Sequence, residues 1–494
     1  MAPPNITSIP LELLLQITSY LSTTDYGAVR LTCKDLEASL FKTFAQQYFT
    51  TIPFLRIEFS LQALIDISKS RLSPYLKHVM IHPLHTPSHA DEVSDWTYDP
   101  DLDFGSDYGP PRPNLRPEDL DRPEDLELYQ RFHQFCLNQI VLTGTGHDQQ
   151  MLVEALRNLS LETVSIVGST PSASESRFAR SYGHIGYGTY WVYRDWQKKD
   201  SSYSRETRIY DKVVTPNTSF LQSILSALGK SGVVFRQLKI VDMDQITDEA
   251  LNIPAFMEKT ILPMLSNLEA LDLDLKVGGP SRLNQISSDR IVSWNGRIVS
   301  SNGRKPYRIY NYYLGKFLLH SNQIKRLYIR GSGLSDDLLA WLATPTTDEE
   351  YHGHPGLSPP MPPTFPNLYE LQILKGSSCG YHEVNVIGII KKFSTTLRRL
   401  HLSGLQIEMP NLGRWPQFVA QLTRIGNHLE EVQFSEMGLH LSRPEKSCYK
   451  NSLHMKFNQS KDHLESRHFF YNGPNMEKVL GDLVKTTTLC DRYD

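Results

Sequence analysis

Apolar residues recur along the chain in two rhythms. Near the N-terminus, Leu13, Leu14, Ile17, Tyr20 and Leu21 follow one another at steps of three and four, the stripe of an α-helix, and Leu11 and Leu15 widen it beyond what one small core needs. Such a helix wants two neighbours. Ser8-Ile9-Pro10 predicts its start, with a hydroxyl able to cap free N–H groups and a proline where the missing donor costs nothing. Thr23-Thr24-Asp25 predicts a second start, and Cys33, Leu36, Leu40, Phe41 and Phe44 continue the helical spacing. Three short helices within about forty residues fall below the size at which a domain usually folds unaided.

Past Phe49 the rhythm becomes a helical stretch, a polar break and a short strand of the form Leu-x-x-Leu-x-Ile/Leu, as in Leu268-Glu269-Ala270-Leu271-Asp272-Leu273. The same form recurs at 161–166, 235–240, 324–329, 368–373, 397–402 and 429–434, with 76–81 as a candidate first member. Within each strand apolar side chains alternate with Glu, Arg, Lys, Gln and Tyr, so one face is buried and the other exposed. Apolar helical segments precede most strands, at 220–228, 256–265, 313–319, 386–393 and 418–425. A helix and a strand repeated in one order call for parallel strands with the helices returning along the outer side. The expected fold class is therefore an α/β solenoid, an irregular leucine-rich-repeat arc with parallel strands and outer helices. Strand spacings of roughly 30 to 85 residues exceed the ~20 to 29 of regular repeats, which places long insertions near 85–128, 168–212, 276–312 and 344–366. An ordinary α/β domain with a parallel sheet shares this element order and is the alternative.

The first helices also carry a recognisable string. Ile9-Pro10-Leu11-Glu12-Leu13-Leu14-Leu15-Gln16-Ile17-Thr18-Ser19-Tyr20-Leu21, then Asp25 and Val29-Arg30-Leu31-Thr32-Cys33-Lys34-Asp35-Leu36, resembles the F-box in residue types and spacing. It departs from the usual motif at Ile9, Thr18 and Leu36, where Leu, Phe and Trp or Phe are common. The resemblance implies an F-box over 6–50 whose Ile9, Pro10, Leu13, Leu14, Ile17, Leu21, Leu31 and Cys33 pack against, or directly behind, a Skp-type adaptor that links to a cullin. Residues 51–494 would then hold an unknown protein substrate for a ubiquitin ligase. Cys33 would be a small packing residue, not a nucleophile. The competing expectation is a leucine-rich-repeat interaction scaffold unrelated to ubiquitin, its N-terminal helices serving as a cap. On the exposed strand face, Arg236, Lys239, Lys325, Tyr328, Tyr369, Arg399 and His401 are the candidate substrate contacts, with Gln372, Glu430 and Gln433 beside them.

Composition narrows the partners. Across 494 residues, 51 Lys and Arg against 54 Asp and Glu give a formal charge of -3, no long-range pull toward nucleic acid or anionic lipid. The N-terminus has Pro3 and Pro4 and no Lys or Arg before Arg30, unlike a secretory signal, and no apolar run approaches a membrane span. Five scattered cysteines without a Cys-x-x-Cys pair fit a reducing cytoplasm or nucleus and neither a disulfide framework nor structural zinc.

The remaining signals read blandly. Asp91 to Glu127 is an acidic, proline-rich loop, and Asp99-x-Asp101-x-Asp103 misses a calcium loop at Gly105 and Pro110. Gly183, Gly186 and Gly188 among Tyr182, Tyr187, Tyr190, Trp191 and Tyr193 lack the strand and helix of a phosphate cradle. His82, His85 and His89, and His352 with His354, are surface histidines before they are metal ligands, and Pro359-Pro360-Met361-Pro362-Pro363 is a stiff linker before it is a ligand motif. No hydrolase elbow, phosphate loop or metalloprotease helix occurs, so no enzyme activity, cofactor or metal is expected.

Overall fold

A computed structural model describes residue 6, residues 9–83, 134, 137–168, 214–243, 248–275, 290–292, 298–300, 312–331, 336–344, 362–374, 381–409, 414–425, 428–441, 452–458, 465–466, 468–473 and 475–491. The insertion at 85–128, the glycine and aromatic cluster, His85, His89, His352, His354 and Pro359-Pro360-Met361 lie outside the described residues.

Three helices open the chain: α1 (Leu11–Thr18), α2 (Thr23–Arg30) and α3 (Lys34–Tyr48). Pro10 is the N-cap of α1 and supplies no side-chain bond, so the expected proline start holds while Ser8 lies outside the described residues. The cap of α2 is Ser22, one residue before the expected Thr23; its hydroxyl accepts from the Asp25 N–H at 3.1 Å. That bond fills one of the helix's free donors.

The chain then forms a ten-stranded sheet: β1 (Thr51–Leu55), β2 (His78–His82), β3 (Thr163–Val167), β4 (Gln237–Met243), β5 (Ala270–Leu275), β6 (Arg326–Arg330), β7 (Glu370–Leu374), β8 (Arg399–Ser403), β9 (Glu431–Ser435) and β10 (His468–Asn472). The strands lie side by side in chain order. β1 to β9 pair in parallel and β10 closes the series antiparallel to β9. Between them come α4 (Glu58–Ser68), α5 (His147–Leu156), α6 (Val214–Ser231), α7 (Ala255–Ser266), α8 (Tyr312–Leu319), α9 (Asp336–Ala343), α10 (Glu383–Phe393), α11 (Arg414–Ile425) and, after β10, α12 (Met476–Thr486). Helices pack on their successors: α4 on α5, α5 on α6, α6 on α7, and α9 through α12 in order. A smaller sheet runs beside the last units, where Gln406–Met409 and Gly438–Leu441 follow β8 and β9 and pair in parallel. Ser452–Asn458 then covers the outer edge of Gly438–Leu441. Among the described residues no helix is long and apolar enough to cross a membrane.

Every expected strand segment contains a strand, each starting two residues late. The leading apolar residue, such as Phe235, Leu268, Ile324, Leu368 or Leu397, is buried ahead of the strand. The residue after it turns its carbonyl to two N–H groups of the next unit: Glu162 O receives Arg236 and Gln237, and Arg236, Glu269, Lys325, Tyr369 and Arg398 repeat the pattern. Two apolar rows of each strand, Val79 to Val432 and Ile81 to Phe434, then face the helices in one continuous core. The sheet is thus mostly parallel, with its buried face against the helices.

Candidate interaction surfaces

The three N-terminal helices close a small core of their own. Leu14, Tyr26, Leu36, Leu40 and Phe44 are buried together, apart from the main core. The Tyr26 ring meets Phe44 and Tyr48 edge-on at 5.4 and 5.9 Å, geometry that aromatic quadrupoles favour, and its burial raises the hydroxyl's pKa. Arg30 lies over the Phe44 ring at 4.4 Å. This core uses one side of α1, through Leu14 and Thr18, and leaves the other side open. Leu13 is 51% exposed, Ile17 49% and Tyr20 82%; with Ile9, Pro10, Gln16 and Leu21 they line an open apolar groove. Leu31, 70% exposed, and Cys33, also exposed, stand at the link between α2 and α3.

Leaving a large apolar side chain in water forgoes about 1.5–3 kcal/mol, so a cluster of them on one face marks a surface built to be covered. Residues 6–43 match the family described as F-box-like. The N-terminal segment is an F-box-like domain. No curated protein matches the chain.

Of the residues the F-box resemblance picks out, Pro10, Leu13, Ile17, Leu31 and Cys33 are exposed, Ile9 and Leu21 are half-buried, and Leu14 is inside the domain's own core. Gln16 and Tyr20 also line the groove and were outside the expected set; Leu11 is exposed as well but lies off it. Behind the groove, α3 fastens the F-box-like domain to the first sheet unit. Glu37 takes Arg30 at 3.0 Å and also Arg71, whose hydrogen bond pulls the Glu37 carboxyl below its ordinary range. Arg71 lies over Phe41 at 4.0 Å, and Phe41 meets Tyr75 edge-on at 5.7 Å. Thr50, just after α3, gives its carbonyl to the N–H groups of Lys77 and His78.

The second surface is the face of the sheet turned away from the helices. Strand register aligns two rows of side chains across it: Gln237, Ala270, Arg326, Glu370, Arg399 and Glu431 in one, and Lys239, Asp272, Tyr328, Gln372, His401 and Gln433 in the other. Tyr328 donates to Glu370 at 2.7 Å, and burial, then that bond, raises the Tyr328 pKa. Arg399 stands 3.9 Å from Glu370 and 3.6 Å from Glu431; Glu431 also meets His401 Nε2 at 2.7 Å. Arg330 donates to Asp272 at 2.8 Å. Toward β2, His78 and Ser165 are 2.7 Å apart, and burial, then the Lys239 charge, pushes His78 down to about 4.

Lys239, Tyr328, Arg399 and His401 therefore stand on this open face. Arg236, Lys325 and Tyr369 stand one residue before their strands, on the rim made by the carbonyl ladder, where Lys325 pairs with Glu269 at 3.2 Å. A one-residue shift in a strand changes the face, and the strands begin later than the motif's first leucine. Arg326, Asp272, Arg330, Glu370 and Glu431 complete the open face; the period-two alternation was the signal that could have selected them. Among the described residues no three His, Cys, Asp or Glu side chains are grouped to hold a metal.

Proposed function

We propose that the chain is a substrate receptor of a Skp-cullin-F-box ubiquitin ligase. The F-box-like domain docks on the Skp-type adaptor, which links to the cullin, and the sheet domain holds a protein substrate. One observation carries the reading: α1 closes its own core with Leu14 yet leaves Ile9, Pro10, Leu13, Ile17 and Tyr20 around an open groove. A cap would turn that stripe onto the sheet; here α3 makes the contact, through Phe41 and Tyr75, and the stripe points elsewhere. The strictly sequential strand order, with helices packed on their successors, supports a leucine-rich-repeat arc over a doubly wound α/β sheet, whose strand order reverses. In this role the chain makes and breaks no bonds. It raises the local concentration of a substrate lysine near a charged carrier.

The test is capture of the chain by a purified Skp-type adaptor, comparing the unsubstituted chain with Leu13→Asp plus Ile17→Asp. Both side chains are half-exposed, so the pair alters the groove and spares the core, which Leu14→Asp would break. Capture should fall by at least about a hundredfold, two desolvated apolar contacts being worth about 3 kcal/mol or more. Equal capture of both chains removes the ligase reading.

A further inference from the structure

The open face of the sheet has a charge pattern that specifies more than a general protein partner. Four cations, Lys239, Arg326, Arg330 and Arg399, share it with four acids, Asp272, Asp274, Glu370 and Glu431, so net charge does not set its sign. Exposure does. The side chains of Asp272, Glu370 and Glu431 are only 7, 9 and 13% exposed, beneath Arg330 at 37% and Arg399 at 47%. These carboxylates hold the two guanidinium groups from behind and are themselves sealed from any visitor. Lys239 and Arg326 are partly exposed, and among the described residues neither has an ion pair. Asp272 lies directly across from Lys239, yet its carboxylate bonds Arg330 instead; Arg326 stands between Ala270 and Glu370, whose carboxylate is taken by the Tyr328 hydroxyl at 2.7 Å with Arg399 3.9 Å away. From strand spacings, the two are roughly 12 Å apart, on either side of β5.

We propose that this face binds an acidic, carboxylate-bearing segment of the partner protein, with Lys239 and Arg326 as its primary contacts and the carboxylate-held Arg330 and Arg399 extending the track. This deepens the substrate-receptor reading, on which it rests for the identity of the partner as substrate. A basic segment would find Asp272, Glu370 and Glu431 nearly buried and already holding Arg330 and Arg399, and the half-buried Asp274 also partnered, whereas an acidic one meets two cations with no ion pair to break among the described residues.

The experiment uses the full chain in complex with its adaptor, and a fluorescent ten-residue peptide alternating Glu and Ser. Anisotropy titrations should show binding that weakens with salt, because the contacts are exposed. Lys239→Glu plus Arg326→Glu should weaken it by at least about tenfold and the milder Lys239→Gln plus Arg326→Gln by about threefold, the graded pair guarding against a folding defect. Lys69→Glu, at the exposed end of α4 and away from this face, should change it less than about twofold. The proposal is overturned if both substituted pairs keep full affinity, if a Lys and Ser peptide binds equally well, or if a ten-nucleotide single-stranded DNA binds more tightly than the acidic peptide. Loss of adaptor capture after Leu13→Asp plus Ile17→Asp with unchanged peptide binding would show that the two surfaces act separately. Equal adaptor capture would fail the ligase reading while leaving this result standing.

Discussion

Arg56, in the turn after β1, ties distant parts of the chain through one side chain. It pairs with Asp148, which is fully buried in the first turn of α5, donates to Ser223 Oγ at 3.3 Å, and lies over the Phe220 ring at 5.6 Å. Gln139 donates to the Arg56 carbonyl at 2.6 Å, so the segment from 137 to 156 is fastened to the sheet where it resumes after the 85–128 insertion. A buried carboxylate without its partner costs more than a surface pair ever returns. Arg56→Met keeps the packing stem and strands Asp148, and should lower the unfolding free energy by about 3–5 kcal/mol. Adding Asp148→Leu should restore most of that, since no charge is then left buried. The readout is the urea midpoint at constant slope; a single variant that shifts it no further than the double one would refute the account. Neither partner was singled out from the sequence, because a pair 92 positions apart leaves no local periodicity.

At the scale of elements, the helices approach closely where a glycine allows it. A Cβ on Gly388 in α10 would stand 2.8 Å from Ala343 Cβ in α9, and one on Gly229 in α6 would meet Ile261 and the Thr260 backbone at 2.9 and 3.0 Å in α7. Alanine in a helix interior gains about 1 kcal/mol over glycine, but forcing two helices apart costs about 1–3 kcal/mol. Gly388→Ala should therefore lower the thermal midpoint. Gly481→Ala in α12, with nothing within 4 Å of the new carbon, should raise it by the propensity alone. Opposite signs are the decisive outcome; equal shifts would mean that α9 and α10 yield to the added carbon without cost. The element pattern itself was largely legible, because the last two apolar positions of Leu-x-x-Leu-x-Ile lie two residues apart, the period of a strand, and an apolar helical stretch precedes most of them. What escaped had physical reasons. β1 contains Pro53, which argues against a central strand and is admissible here because β1 is a sheet edge. β10 and the smaller sheet lack the repeated motif. The stripe on α1 showed its width but not its division, since which side closes on Leu36, Leu40 and Phe44 depends on where α3 lies.

Across the whole molecule, two cores of very different size share one chain. The main core runs the length of the sheet, with β10 closing one edge and Pro53 blunting the other. The F-box-like core consists of Leu14, Tyr26, Leu36, Leu40 and Phe44, too little for a unit of about fifty residues to stand alone. Its support comes from the Glu37, Phe41, Arg71 and Tyr75 contacts and, in the proposed complex, from the adaptor over Leu13 and Ile17. Residues 1–50 alone should then show no cooperative melt, while 51–494 should retain one close to that of the full chain. In the full chain, amides of α1 and α2 should exchange faster than those of β3 to β8, whose strands are paired on both sides. Adaptor at about a hundred times its Kd should slow exchange in α1 and α2 by about a hundredfold, the equivalent of about 2.7 kcal/mol, and leave the sheet unchanged. Equal protection of α1 and the sheet without adaptor would mean that the N-terminal helices are part of the main fold, built to cap it, and that their open groove has another use.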